Sequence, residues 1–201
     1  PLVQARLTER DSLIYEDNDV ELFVAGPQGQ QNAYYELEIN ALGTIYEVFF
    51  IWADAYEKAG FKSRPEFAAD APGVRLFPGV GFTSHPRGQR TGYWNWDFPG
   101  LRSAVHVDGT LNDATDRDRG WTVELALPWS GFAALAPCGG ISLPPQAGET
   151  WRMDFSRFNT YKAAPPAQDS GGWAWSPHGV WDSHIPELFT KVQFSEHIID
   201  E

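Results

Sequence analysis

The sequence predicts an all-β fold, an antiparallel two-sheet β-sandwich of the jelly-roll or immunoglobulin-like kind. Three observations favour it. Short runs of alternating or aromatic-rich residues recur between turn signals, and no segment shows a strand-helix alternation. The chain also carries 9 Trp, 7 Tyr and 13 Phe, residue types that suit half-buried pleated surfaces. Its 201 residues fit one domain spanning 1–201.

Three runs at the start of the chain predict an antiparallel meander: NDVELFVAG, YYELEIN and TIYEVFFIW, with turn signals between them. Side chains of a strand alternate between its two faces. The second run therefore has two sets of residues, Tyr35, Leu37 and Ile39 on one face and Tyr34, Glu36, Glu38 and Asn40 on the other. We expect the first face to be core and the second to be exposed to water.

The rest of the chain adds further short strands. Residues 53–100 are expected to be mostly irregular, with one or two helical turns in DAYEKAGFKSRPEF. Strands are predicted at LRSAVHV, WTVELALPW, TWRMDFSRFN, WAWS and FTKVQF, with a helix-like corner at SGFAALA. Trp121, Trp129 and Trp151 stand beside apolar strand residues, so we expect them in the core.

Composition excludes some functions. The formal charge of -12 opposes binding to nucleic acid, because phosphate contacts need clustered Lys and Arg. No run of 18 or more apolar residues predicts a membrane span. A single cysteine, Cys138, allows no internal disulfide and no cysteine pair for a metal, and it suits an exported or a cytosolic protein equally.

Five pieces in order carry a family resemblance: DNDVELF, YYELEINALGT, WTVELALPW, WRMDFSRFN, and WAWSP followed by WDSHIPELFTKVQF. Together they resemble the family 9 carbohydrate-binding modules and related DOMON-type β-sandwiches over nearly the whole chain. Such modules usually have further strands ahead of the D-x-V-E-x-F strand. We therefore expect this chain to start inside its domain, without N-terminal strands, and to leave a sheet edge or part of a core face uncovered.

The resemblance implies non-catalytic capture of a saccharide between two opposed aromatic rings. A pyranose presents a face of C–H bonds that packs on a ring, and its hydroxyls need polar partners at the rim. The residues that correspond to the family's binding positions are Trp181, Tyr15 (where described sugar binders have Trp), Glu21, Asn40, Arg157 or its neighbour Ser156, and His178. The resemblance also implies a bacterial protein of polysaccharide metabolism that is secreted, periplasmic or at the cell surface. It leaves the oligomeric state open.

Each candidate also has a purely structural interpretation. Trp181 has polar or small neighbours, Gly179, Asp182 and Ser183, so it is less suited to a core than the strand tryptophans are. Pro177 and Pro186 bound its loop and restrict two backbone φ angles, which predicts a rigidly held ring.

Tyr15 is as well suited to packing at the start of a strand, and Glu21 to a solvated face. Asn40 precedes Ala-Leu-Gly and also suits a turn. In TGYWNWDF the residues Tyr93, Trp94 and Trp96 form a second candidate platform or a packed lid.

A structural or interaction module is a further alternative to saccharide binding, and three other chemistries remain as well. The segment DGTLNDATDRDRG offers oxygen ligands for a structural calcium ion, namely Asp108, Asn112, Asp113, Asp116 and Asp118, although its spacing is not that of an EF-hand. A haem site would have to use Met153 with histidines that lack ligand-pair spacing. A secreted glycan-active hydrolase would pair two carboxylates such as Glu21 and Asp182. We expect no other cofactor.

Overall fold

The computed structural model describes residues 2–27, 31–80, 84–138, 141–160 and 170–197. Within these ranges the chain forms ten strands: β1 Asp19–Pro27, β2 Ala33–Asn40, β3 Ile45–Trp52, β4 Val74–Phe77, β5 Arg90–Tyr93, β6 Arg102–Asp108, β7 Gly120–Ala126, β8 Thr150–Thr160, β9 Ser170–Ala174 and β10 Thr190–Gln193. Short 3-10 segments lie at Ile14–Glu16, Phe61–Ser63, Pro65–Phe67, Trp129–Cys138 and Pro186–Leu188. No helix in the described ranges is long and apolar enough to cross a membrane.

The strands form two antiparallel sheets. The larger sheet has the order β10-β8-β1-β2-β3-β5-β4, and β9 pairs with β8. The smaller sheet is the β6–β7 hairpin. The all-β, two-sheet prediction and the β1–β2–β3 meander are both confirmed.

One face of the large sheet packs against the β6–β7 hairpin and the segment Trp129–Cys138. This first core contains, among others, Leu22, Val24, Tyr35, Leu37, Ile39, Phe49, Ile51 and Trp151, with Val105, Val123 and Leu125 of the hairpin against it. The predicted core face of β2 is therefore confirmed. Trp151 is fully buried there, as expected.

The opposite face of the large sheet is not exposed to water, and the expectation of a wet face was wrong. Phe23, Tyr34, Phe50 and Phe189 form a second apolar cluster on it. Even Glu36 and Glu38 are only 3% and 2% exposed. The strand β4 and the residues between β9 and β10 cover this face, so the sheet has buried side chains on both sides.

Two further expectations need correction. Residues 53–100 are less irregular than predicted, since β4 and β5 form a hairpin whose second strand pairs with β3.

Trp129 is 41% exposed and is not fully buried, because it lies on the outside of the first core and contacts Trp151 edge-on. Trp121 is partly buried against a small cluster of Val3, Ala5 and Ala41.

Candidate functional site

A cavity of about 830 Å³ lies on the second face of the large sheet. Strands β1, β2 and β3 supply its floor, and β4 and the residues between β9 and β10 supply its walls. Four of the residues predicted from the sequence line it together: Tyr15, Glu21, His178 and Trp181. They come from parts of the chain more than 150 residues apart in sequence, and the fold alone brings them to one place.

Large aromatic rings stand at the cavity with much of their surface in solvent. Trp181 is 59% exposed, Trp173 56% and Tyr15 48%. Trp181 contacts Phe158 edge-on at a centroid distance of 5.5 Å, and Tyr15 contacts Tyr46 edge-on at 6.1 Å. Exposed apolar rings grouped at a concave surface are typical of a ligand-binding site, since a core would have buried them.

The loop that carries Trp181 is held by hydrogen bonds of residues before and after Trp181 in the sequence. Nδ1 of His178 lies 3.0 Å from the carbonyl oxygen of Asp182, and its Nε2 lies 2.8 Å from Oδ2 of Asp154 on β8. The backbone N–H of His184 donates to Oδ1 of Asp182 at 2.8 Å. Both ring nitrogens of His178 are thus engaged with protein acceptors, which ties the loop to the large sheet.

His178 makes the attachment of this loop dependent on pH. The hydrogen bond to Asp154 raises the pKa of His178 above its usual value of about 6.5, because it stabilises the protonated ring. A group whose pKa is higher in the folded protein than in the unfolded chain stabilises the fold. This stabilisation is fully present when the pH is below the pKa of the unfolded chain, and it is lost as the pH rises through the pKa of the folded protein. The loop is therefore held most firmly in mildly acidic solution.

The variant His178→Gln should test this pH dependence. At pH about 5.5 we expect it to lower the free energy of unfolding by about 1.5–3 kcal/mol, the value of a hydrogen bond to a charged group. Above the folded pKa the loss should be smaller, because the wild-type ring is then neutral. Urea unfolding of the wild-type protein and the variant, at pH about 5.5 and at a pH above the folded pKa of His178, measures how much stability the substitution removes at each pH. A loss that is the same at both would contradict the assignment.

The floor of the cavity carries three carboxylates, those of Glu21, Glu36 and Glu38. Glu21 on β1 stands directly opposite Glu38 on β2. Burial raises the pKa of Glu21 to about 7, while the hydroxyl of Ser156, which donates to Glu21 Oε2, acts in the other direction. Burial and the neighbouring carboxylates hold the pKa of Glu36 and Glu38 well above the usual range. These groups can hydrogen-bond with hydroxyls of a ligand.

A chain of hydrogen bonds holds a neutral histidine, His184, which also lines the cavity. Arg90 Nη1 donates to the hydroxyl of Tyr34 at 3.0 Å, and that hydroxyl lies 3.1 Å from Nδ1 of His184. In the neutral tautomer whose Nδ1 accepts from this hydroxyl, the proton is on Nε2, which faces Glu36 Oε1 at 3.3 Å. Burial lowers the pKa of His184 well below its usual value, in agreement with a neutral ring.

Of the TGYWNWDF segment, only Trp94 lines the cavity. Its Nε1 donates to the hydroxyl of Tyr46 at 2.6 Å, and the guanidinium of Arg75 lies 4.2 Å from its ring centroid. Tyr93 and Trp96 instead belong to the first core. The segment therefore divides between the ligand-facing wall and the packed interior.

Two predicted binding residues do not line the cavity. Asn40, the last residue of β2, is fully buried, and its Oδ1 accepts from the backbone N–H groups of Leu42 and Thr44 in the turn that follows, each at 3.0 Å. Arg157 donates to Oδ1 of Asn159 at 2.7 Å. The neighbouring Ser156, the other position considered in that strand, lines the cavity.

The segment considered as an alternative for calcium, residues 108–120, does not gather three of its carboxylates within ligand distance of one another. Asp118 accepts from the backbone N–H groups of Val3 and Thr110, both at 2.6 Å. Asp113 accepts from Thr115 N–H at 2.8 Å. These side chains shape the loop itself. Met153, the candidate haem ligand, packs against the first core, on the opposite face of the sheet from the cavity.

Several lining residues were not identified from the sequence, chiefly Glu36, Glu38, Tyr46 and Phe50. Period-two alternation did place Glu36 and Glu38 on the same face, and the antiparallel pairing of β1 with β2 adds Glu21 to it. The signal for a polar cluster was therefore present in the strand pattern. Nothing in the sequence near these residues indicated that distant segments, β4 and the residues between β9 and β10, would cover the cluster.

The sequence matches no protein-family model, and no curated protein matches it significantly. Among solved structures, the chain is similar to a candidate carbohydrate-binding protein from Bacteroides uniformis ATCC 8492. The sequences are 17% identical, the match covers 96% of this chain and 68% of that chain, and the TM-score is 0.48. Similarity this distant decides neither the fold nor the function.

Proposed function

We propose that the protein binds a saccharide in this cavity without altering it. The observation that carries the proposal is the combination of exposed rings, Trp181 and Tyr15, with buried carboxylates at the floor of the same cavity. An aromatic ring packs against the C–H face of a pyranose, and carboxylates accept hydrogen bonds from its hydroxyls. A cavity of about 830 Å³ is within the usual range for small-molecule sites.

The resemblance to family 9 carbohydrate-binding modules supports the same function. Trp181, Tyr15 and Glu21 correspond to binding positions of that family, and all three line the cavity. Membership of this family, and a location in the periplasm, outside the cell or at its surface, are parts of the proposal, since polysaccharides are the ligands that such modules meet there.

A glycan-active enzyme is the second candidate, because carboxylates with raised pKa values lie in the cavity. A glycosidase needs two carboxylates that flank the bond it breaks, about 5–5.5 Å apart for retention and more for inversion. Glu21, Glu36 and Glu38 instead project side by side from β1 and β2. This arrangement favours hydrogen bonding to one side of a ligand. Asp182 also lines the cavity. Glu21 and Asp182 are therefore the pair of carboxylates that a glycosidase in this cavity would use, and this possibility can be tested.

The two functions are separated by testing one panel of mono- and oligosaccharides in two ways. Tryptophan fluorescence should change and saturate on titration, because Trp181, Trp173 and Trp94 line the cavity. Chromatography of the same mixtures after long incubation should show the sugars unchanged. Appearance of shorter sugars, lost in Glu21→Gln, would establish the enzyme instead. Absence of any saturable change across the panel would contradict both functions.

A further inference from the structure

Three buried carboxylates converge at the edge of the cavity floor, those of Asp19, Glu21 and Glu38. One ligand oxygen of each lies within 4.8 Å of those of the other two. Oxygen ligands of one calcium ion lie 2.3–2.6 Å from it, so two of them can be up to about 5 Å apart. The spacing therefore fits a shared ion. No other group of this kind exists among the described residues.

Two of these carboxylates have one oxygen held by the protein and one without a partner. Oδ1 of Asp19 accepts from the backbone N–H of Phe158 at 3.1 Å, while its buried Oδ2 has no hydrogen-bond partner. Glu38 accepts from the backbone N–H of Tyr15, while its buried Oε2 likewise has no partner. Carboxylates oriented by one hydrogen bond, with the other oxygen left free, are the usual form of metal ligands.

The third carboxylate, that of Glu21, is also held by the protein, since the hydroxyl of Ser156 donates to its Oε2. No Lys, Arg or His forms an ion pair with any of the three carboxylates within the described ranges. The other charged side chains that act on them, Asp17, Glu36 and Asp154, are negative as well. Three such groups cannot all stay ionised in a buried place without a cation, and without one some of them take up protons.

We propose that Asp19, Glu21 and Glu38 bind a calcium ion at the floor of the cavity. All three offer oxygen, the ligand type of hard cations, and no nitrogen or sulfur ligand takes part. Calcium takes 6–8 ligands, more than the three converging oxygens supply, one from each carboxylate. Glu21 and Glu38 also line the cavity, so the remaining positions face it and are filled by water or by ligand hydroxyls.

The alternative compensation is protons alone. Burial and the neighbouring Glu21 carboxylate raise the pKa of Asp19 to about 9, so in the absence of a cation it is protonated near neutral pH. A bound calcium ion would displace such protons, whereas a purely protonated cluster would gain nothing from calcium. Response to calcium therefore distinguishes the two states.

The experiment is thermal unfolding in excess EDTA and in CaCl2 at about one hundred times the dissociation constant, with calorimetric titration of CaCl2 to measure binding. Calcium should raise Tm of the wild-type protein by about 5–10 °C. In Asp19→Asn and Glu38→Gln, which keep the acceptor oxygens for Phe158 and Tyr15, the calcium shift should be lost. In EDTA both variants should melt close to the wild-type temperature, since each amide replaces a carboxyl that is protonated when no cation is bound.

Asp116→Asn is the matched control, because it removes an exposed carboxylate from the loop that the sequence suggested for calcium. It should keep the full calcium shift. No shift in the wild-type protein, or a shift that survives in both cluster variants, would overturn the proposal. The inference does not rest on saccharide binding: Trp181→Ala should keep the calcium shift whether or not the protein binds sugar.

Discussion

Replacing Trp181 by alanine is expected to weaken saccharide binding strongly and to leave the fold intact. The ring is 59% exposed at the cavity and loses little packing on truncation, so Tm should fall by no more than about 2 °C. A central aromatic contact is worth about 2 kcal/mol or more in binding, which is a loss of about 30-fold or more in affinity. Calorimetric titration with the saccharide that binds wild-type protein best measures the effect.

Trp175→Ala provides the control for this variant. Trp175 is also 59% exposed and is only six residues away, but it contacts Phe155 and does not line the cavity. Its removal should change affinity less than about twofold. Equal losses in the two variants would show that the effect is not specific to the cavity, and unchanged affinity of Trp181→Ala would remove that ring from the site.

Replacing Trp151 by alanine is expected to have the opposite result, a large loss of stability with unchanged intrinsic affinity. Trp151 is fully buried, and the rings of Phe132 and Phe194 contact it edge-on at centroid distances of 5.4 and 5.5 Å. Truncation of a core Trp costs about 3–5 kcal/mol, which lowers Tm of a domain of this size by about 6–20 °C.

Chemical denaturation of Trp151→Ala measures this loss, and titration well below its melting temperature measures the affinity of the folded protein. Trp151 belongs to the first core, on the face of the sheet away from the cavity, so the ligand should bind as in the wild type. Trp129→Ala should cost clearly less, since its ring is partly in solvent. A loss below about 1 kcal/mol for Trp151→Ala would contradict the packing described.

The sequence predicted the strands well, because their signals are local. Turn residues around YYELEIN and the period-two pattern within it were enough to place β2 and its core residues Leu37 and Ile39. Polar neighbours likewise indicated that Trp181 lies outside the core. The short hairpin of β4 and β5 was missed, since four-residue strands in a Gly- and Pro-rich region carry almost no periodic signal.

The burial of Glu36 and Glu38 could not be predicted from their own strand. Alternation separates the two faces of a strand, but it does not show whether a later part of the chain covers the second face. Here Phe77 on β4 and Pro177 in the loop before β10 lie on the walls above that face. Asn40 lies on the same polar face of β2, but its side chain accepts hydrogen bonds from the backbone of the following turn and does not line the cavity.

The most direct test of a saccharide site in this cavity is a crystal structure of the protein with the tightest-binding saccharide. The sugar ring should lie between the rings of Trp181 and Tyr15, with a hydroxyl hydrogen-bonded to Glu21. Two stacking contacts require the aromatic faces to be about 7–8 Å apart in that complex. Electron density for the sugar elsewhere on the surface, with an empty cavity, would contradict the account.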